Sequence, residues 1–537
     1  MAIQSDNPPQ LLTLEEWRGL NQQGRRGSID HREEWWNENL FAIGIGNLRS
    51  CWGHGPAIYT APGGTKIVRM FFGFIGNTTP QFQKPPPGRL GWMFLDDGTI
   101  DQVDLDTQVV THVGAAWTPT APPYYWASAK VWRPQFFGSV AGQTGGVLFG
   151  SPKGLYAWDG ALLSAPGDPA PDWLTDSAET TGTSFIMPSG LPGIYCMEVY
   201  QSRLFVAGKD VVSFSAPSNG ANFATADGGG SFGYFGDKLT YSYQDLAASS
   251  GYLYVYGDSS TDLIANVQLA GQGTPEAPFT TNMNYENIDP QIGQRFPRPV
   301  GRIGRYMQMY TGAGIYEMRG GEAREIGDKI TNIYDTLDTS TFLPTMCPAT
   351  MFGQRVLLCN GRFRDPFGVV RSLLLMWHPR VQAEFWSVAS QNLELTNIGA
   401  YEQDSVITPY GTDGNSLYQL FAKPDNALKK RLSTKYIRGT GMQQLMLKSG
   451  KRLYMEFYDN HGGGASFTGT FTSGAGGIPG GIEDIGFEIP AGKRYGMEPQ
   501  PISGAGIAGA VDLESVSPDF TIERLHILTE ERTLWGA

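Results

Sequence analysis

The chain has 537 residues, of which 70 are glycine, 12% are aromatic and 17% are charged, with a formal net charge of −12. That length exceeds one ordinary hydrophobic core and predicts several domains or one large repetitive one. The acidic balance argues against general wrapping of nucleic acid, because phosphate affinity comes from lysine and arginine displacing counterions. No apolar run is long enough to span a bilayer, and Met1 to Gln10 has no signal-peptide pattern, which predicts a chain made and folded in a cytoplasm.

At the N-terminus, Thr13 stands three residues before Glu16, a capping-box spacing that predicts a short helix from Leu14. Residues 1–45 read as a helical arm too polar to build its own core. Its Trp17, Trp35 and Trp36 are therefore predicted interface residues, packing on the C-terminal domain or on a neighbouring subunit. The stretch from Ser50 to Gly76 is either one more repeat or the strand that closes a ring of repeats.

From there one small unit recurs: an apolar strand, a turn with Gly, Asp or Asn, and a second strand. Instances begin at Gly91 ("GWMFLDDGTIDQVDL"), Gly145, Arg203, Gly251, Arg305, Arg355 and Ser405. Anchored on Ile100, Leu155, Val211, Leu263, Ile315, Leu373 and Leu417, the period is roughly 50 residues, as in blade repeats. The reading is an all-β chain: a β-propeller of about seven blades over residues 46–425 and a β-sandwich-like platform over 426–537.

Chemistry-bearing patterns are sparse. The six histidines lack metal-ligand spacing, and the four cysteines lack any CxxC pattern and read as buried, reduced thiols. The aspartates from Asp96 to Asp106 miss the EF-hand spacing and read as a hairpin with exposed acids. Gly229-Gly230-Ser231-Phe232-Gly233 matches a nucleophile elbow but is followed by no helix, so the Asp227–Gly230 glycine run reads as a loop between strands and not as a phosphate cradle. The basic cluster of Lys429, Lys430, Arg431, Lys435 and Arg438 reads as a solvated strand face or a subunit contact. No catalytic residue, metal or cofactor is called for, and the chain reads as a non-enzyme.

The stretch "QSRLFVAGKDVVSFSAPSNGANFATADGGGSFGYF", followed by "SYQDLAASSGYLYVYGDSSTDLI", resembles the tail nozzle (tail tube type B) proteins of short-tailed, podovirus-like bacteriophages. So do "ENLFAIGIGNLRSCWGHGPAIY", "ITPYGTDGNSLYQLF" and "LESVSPDFTIERLHI". The resemblance implies a virion structural protein assembled in the host bacterial cytoplasm: a six-fold ring below the portal and adaptor, bearing tail fibres or tailspikes and passing double-stranded DNA without sequence-specific binding or membrane insertion.

A conduit should present acidic, polar or glycine-rich surface to DNA. In "GGIEDIGFEIP" and "VDLESVSPDF" the candidate channel-lining residues are Glu483, Asp484, Glu488, Asp512, Glu514 and Asp519. The competing reading is a phage propeller that binds host-surface glycans on Trp126, Trp132 and Trp173, and a third is a polysaccharide-degrading enzyme.

Overall fold

Strands rich in β-branched and aromatic residues, cut by glycine and aspartate turns, account for nearly all the regular structure. The computed structural model describes residues 10–532 except 31, 45, 76–87, 118, 121, 123–124, 133–144, 170, 175–192, 234–241, 290, 298–299, 380–383, 426, 438–446, 476–477, 504 and 507. Arg438 lies outside the described residues. Among those described, the one α-helix is the single turn Thr331–Tyr334.

Each recurring unit is the middle hairpin of a four-stranded antiparallel array. The unit at Gly91 shows how the turn is made. Leu90–Leu95 and Ile100–Asp104 pair across Asp96-Asp97-Gly98, where Gly98 has φ 92° and Asp97 accepts hydrogen bonds from the Thr99 N–H and hydroxyl. Only glycine adopts that left-handed conformation without strain. A strand before the hairpin and one after it complete the sheet, here Ile67–Gly73 on the inside and Val110–Gly114 on the outside.

Six such sheets stand free. They are the one at Ile67–Gly114, those beginning at Ser128, Cys196, Tyr243 and Gly301, and the sheet of Asn397–Gln403, Val406–Thr412 and Ser416–Gln419. The last takes its fourth strand, Ala57–Thr60, from before the first blade, so the ring closes on a strand from its own start. Both faces of each sheet are buried against neighbours, which is why Arg203–Ala207 is buried at every position. Trp92, Phe94 and Phe149 pack between the first two sheets, and Tyr254, Tyr256, Met307 and Met309 between two later ones.

The blade count is thus six free-standing sheets and not about seven. The unit at Arg355 is different: its strands Thr345–Met351, Gln354–Arg364, Val370–His378 and Phe385–Ala389 continue into a nine-stranded sheet. Glu34–Glu38 pairs parallel to Phe385–Ala389 and antiparallel to Lys430–Thr434. Ala508–Ser515, Ala465–Ala475 and Ile478–Ile489 follow in that order. This far half packs against a second sheet built on Leu447–Asp459 and Phe520–Arg532, and Leu432, Leu453, Phe457, Phe467, Leu513 and Ile522 fill the space between. Propeller and sandwich therefore share one continuous sheet.

The predicted N-terminal helix is absent. Gln10–Leu14 is a strand on Phe520–Arg532, and Glu16 sits at φ 54°, outside helical geometry, with its carboxylate on Arg32. A capping box offers one local turn, whereas pairing to a long buried strand satisfies a whole row of backbone groups, and the tertiary partner wins.

Candidate functional site

The outer face of the sandwich half of the nine-stranded sheet gathers the acids. Strand register sets its composition, since residues directly opposite in an antiparallel pair share a face. One row runs Arg431, Glu514, Thr468, Gly486, and the next runs Ser433, Asp512, Thr470, Asp484. Glu488 stands opposite Ser466 at the same level of alternation. The reverse face carries Leu432, Leu513, Val511, Phe467, Phe471, Ile485 and Phe487 into the core.

Four of the six predicted channel-lining acids, Asp484, Glu488, Asp512 and Glu514, are thereby brought to one face. The other two are not. Glu483 lies opposite Phe471, on the core-facing side, where its carboxylate accepts hydrogen bonds from the Ser503 N–H and hydroxyl. Asp519 is only 5% exposed and is held by Arg49 at 2.7 Å, by Trp52 and by Asn460, so it is a buried tie between N- and C-terminal segments. A period of two moves a neighbouring acid to the opposite face, which a reading by acid content alone does not register.

Three cations at this face, Lys429, Arg431 and Arg26, are paired with two of its acids. Glu514 takes Lys429 at 2.7 Å and Arg431 at 2.8 Å, and although burial works against its charge, these two hold its carboxyl below the ordinary range. Arg26 pairs with Asp512 at 2.8 Å while its guanidinium lies over the rings of Trp35 and Tyr436. Lys435 donates to the Ile29 carbonyl. Lys430 points the other way: it is buried, donates to the Asp425 and Ser517 carbonyls, and burial pushes its pKa down to about 8. Asp484 and Glu488 are exposed.

The tryptophans predicted at an interface lie inside this chain. Trp17 belongs to the sandwich core, and Trp36 to the core between the blade that begins at Gly301 and the strands of residues 345–389, with Trp35 half-buried beside it. Trp17 thus packs on the C-terminal domain, the first of the two expected partners. Exposed apolar side chains occur instead at Ile482, Tyr495, Met497 and Val516, with Ile482 at 66%. Sequence reasoning missed these, because an isolated Ile or Met in a strand carries no mark of which face it takes. Of the three tryptophans in the glycan reading, Trp132 and Trp173 are buried in the core between blades, and Trp126 stacks on Tyr195 at 4.1 Å.

Other patterns resolve into local structure. Asp101 is buried and accepts from Tyr59 at 2.6 Å, with His112 at 2.9 Å, while Asp104 caps the N–H groups of Asp106 and Thr107. The glycine run after Asp227 turns into the strand Gly230–Gly233, and the Gly228 carbonyl accepts from Arg203 and Thr281. All four cysteines are free and buried. Among the described residues no group of three His, Cys, Asp or Glu is placed to hold a metal ion, and no helix is long and apolar enough to cross a membrane.

No family model and no curated protein matches this chain. Among solved structures it is similar to BBS1N in complex with ARL6DN, at 8% identity over 69% of this chain and 97% of that one, with a TM-score of 0.39. It is also similar to the N-terminal domain of Nup159, at 10% identity over 72% and 98% with a TM-score of 0.26. A Trypanosoma rangeli sialidase aligns at 10% identity over 96% and 95%, with a TM-score of 0.25. Likeness at this level brings no activity, substrate or partner to the chain.

Proposed function

We propose that this protein is a structural subunit of a tail nozzle ring in a short-tailed bacteriophage, a conduit for double-stranded DNA that also carries fibres or spikes. The observation that carries the reading is the outer face of the sandwich. It joins exposed Asp484 and Glu488 to rows of threonine, and its cations Lys429, Arg431 and Arg26 are ion-paired with Glu514 and Asp512, so that the four acids of this face outnumber those three cations. A polyanion gains nothing by counterion release at such a surface and slides past it. The four sequence segments that resemble nozzle proteins support the same reading. So does the sheet shared by propeller and sandwich, because a ring under axial load needs its two parts held at a fixed angle. Exposed Ile482, Tyr495, Met497 and Val516 offer apolar area for subunit contacts.

Native mass measurement of the purified chain tests the reading. A closed ring near six subunits is expected, and a stable monomer or trimer at micromolar concentration would instead favour a receptor-binding or degradative protein.

A further inference from the structure

The innermost strands of five consecutive blades each bring one charged side chain to a common cavity of about 240 Å³: Arg69, Lys130, Glu198, Asp245 and Arg302. A second cavity of about 360 Å³ adjoins it, since Phe71, Ala129, Lys130 and Val300 bound both. The second is largely apolar, with Met70, Phe72, Met346, Ile398 and Ile407 in its lining. Its one carboxylate, Glu402, is held by Arg355 at 3.0 Å.

The charges of the first cavity do not cancel. Lys130 Nζ lies 2.8 Å from Glu198, which also accepts from the Ala248 N–H at 3.3 Å, and these two form a neutral pair. Asp245 accepts from the N–H groups of Leu246 at 2.9 Å and Val300 at 3.2 Å. Arg69 is only 5% exposed, yet among the described residues its guanidinium meets no carboxylate and donates instead to the carbonyls of Pro297 at 3.1 Å and Ala127 at 3.0 Å. Arg302, which is exposed, spends its Nε–H on the Gly304 carbonyl at 3.3 Å and is likewise without an ion pair among those residues. Two guanidinium groups are thus left against one carboxylate, a surplus of one positive charge. Backbone carbonyls satisfy the N–H groups of a buried guanidinium without neutralising it, and an uncompensated buried charge is costly.

We propose that these joined cavities bind a singly charged organic anion, a monocarboxylate with an apolar tail, whose charge is met by Arg69 and Arg302 and whose tail runs past Phe71 into the second cavity. A carboxylate has the planar acceptor geometry that a guanidinium matches best, and it supplies the one negative charge that the first cavity lacks. Phe71 lines both cavities and its ring lies 5.4 Å from the Arg69 guanidinium, so charged head and apolar tail would meet there. A cation would add to the surplus, and a small hydrophilic anion would leave the second cavity unused.

Asp245 makes the site pH-dependent. Burial raises its pKa to about 6, against the opposing pull of Lys130 and Arg69 and with Glu198 facing it as a like charge. Cys196 and Tyr256, also close to it, are kept neutral by burial. Protonation of Asp245 removes a negative charge from the cavity, so the anion binds more tightly as pH falls through about 6. The site lies within one chain and stands whether or not the chain forms a ring.

Titration calorimetry on the full chain, with hexanoate and benzoate as separate probes, tests the proposal. Hexanamide serves as the neutral comparator, hexylammonium as the cationic one and acetate as the anion without a tail. Saturable one-to-one binding of at least one of the two probes is expected at pH 7.5, several-fold tighter at pH 5.5, and weakened roughly tenfold by Arg302→Gln. Arg302 is exposed, so that variant should fold as the wild type does. The absence of saturable binding by both probes overturns the proposal, and so does equal or tighter binding of hexanamide, hexylammonium or acetate, or unchanged affinity in the variant. Should Arg302→Gln fail to fold, a crystal of the wild-type chain soaked in the tighter-binding probe decides: a carboxylate within hydrogen-bond distance of Arg69 or Arg302 supports the site, and water alone there refutes it.

Discussion

Replacing Glu34 by glutamine should stabilise the protein, increasingly so as pH rises. Glu34 is 0% exposed in the strand that joins propeller to sandwich, and neither carboxylate oxygen makes a well-formed hydrogen bond. Burial pushes its pKa from 4.5 to about 8, with only partial relief from its own N–H and from Asn37. In the unfolded chain the group ionises near the ordinary carboxyl value, while in the folded chain it stays protonated until about 8. Between those values folding must take up a proton. Stability is therefore greatest below the unfolded pKa and falls by about 1.4 kcal/mol per pH unit until the folded pKa is passed. The cumulative loss is about 3 kcal/mol by pH 7 and about 5 kcal/mol above pH 8, a large part of a typical folding free energy. Glutamine has nearly the same shape and no proton to exchange. Urea denaturation of wild type and Glu34→Gln from pH 6 to pH 9 should give curves that diverge as pH rises, with the variant the more stable. Parallel curves over that interval would mean that Glu34 is ionised in the folded protein, and the account of the joint would fail.

Arg371→Met should destabilise by about 3 to 5 kcal/mol, because it strands the buried carboxylates of Glu38 and Asp365 that Arg371 now holds at 2.6 and 3.1 Å. Adding Glu38→Leu should recover part of that loss in a double-mutant cycle read by urea midpoint. Paired Asp484→Lys and Glu488→Lys substitutions should change stability by less than about 1 kcal/mol each, as exposed charges do. They should nevertheless create a salt-dependent retention of duplex DNA in gel-shift assays at low ionic strength, and unchanged mobility would remove this face from the DNA path. The native protein should be inert to a thiol reagent at neutral pH and react at all four cysteines in guanidinium, since burial raises the pKa of Cys51, Cys196, Cys347 and Cys359.

The blade hairpins were legible because their information is local. In "GWMFLDDGTIDQVDL" the apolar strand, the Asp-Asp-Gly turn and the second strand lie within one short window, and the structure builds a hairpin from them. The fate of the N-terminal segment was not legible, since Thr13 and Glu16 satisfy a local rule whereas the deciding partner, Phe520–Arg532, lies at the other end of the chain. The nine-stranded sheet was hidden for the same reason. Nothing around Arg355 marks that unit as the one whose last strand accepts Glu34–Glu38. At the sandwich face, acid content located the strands, but the face taken by Glu483 depends on register, and the burial of Asp519 depends on Arg49.

This distribution of local and distant pairing sets an order of construction. Blades from Ile67 to Glu325 are made of hairpins whose partners follow within a short stretch, so each can form as soon as it is synthesised. The sandwich cannot. Its first strand pairs with its last, and the contact of the Thr13 hydroxyl with His526 at 2.9 Å spans 513 residues. Asn47–Ser50 likewise waits for Phe520–Arg532, and Glu34–Glu38 for Lys430–Thr434. The acidic face, built on Lys430–Thr434, Ala465–Ala475, Ile478–Ile489 and Ala508–Ser515, therefore forms after the blades. A truncation ending at residue 507 should keep the hairpins of the first five blades protected in hydrogen exchange and lose protection in Gln10–Leu14, Asn47–Ser50, Lys430–Thr434 and Ala465–Ala475. Protection of Gln10–Leu14 in that truncated chain would show that the N-terminal strand has a partner other than Phe520–Arg532, and the proposed order of construction would fall with it.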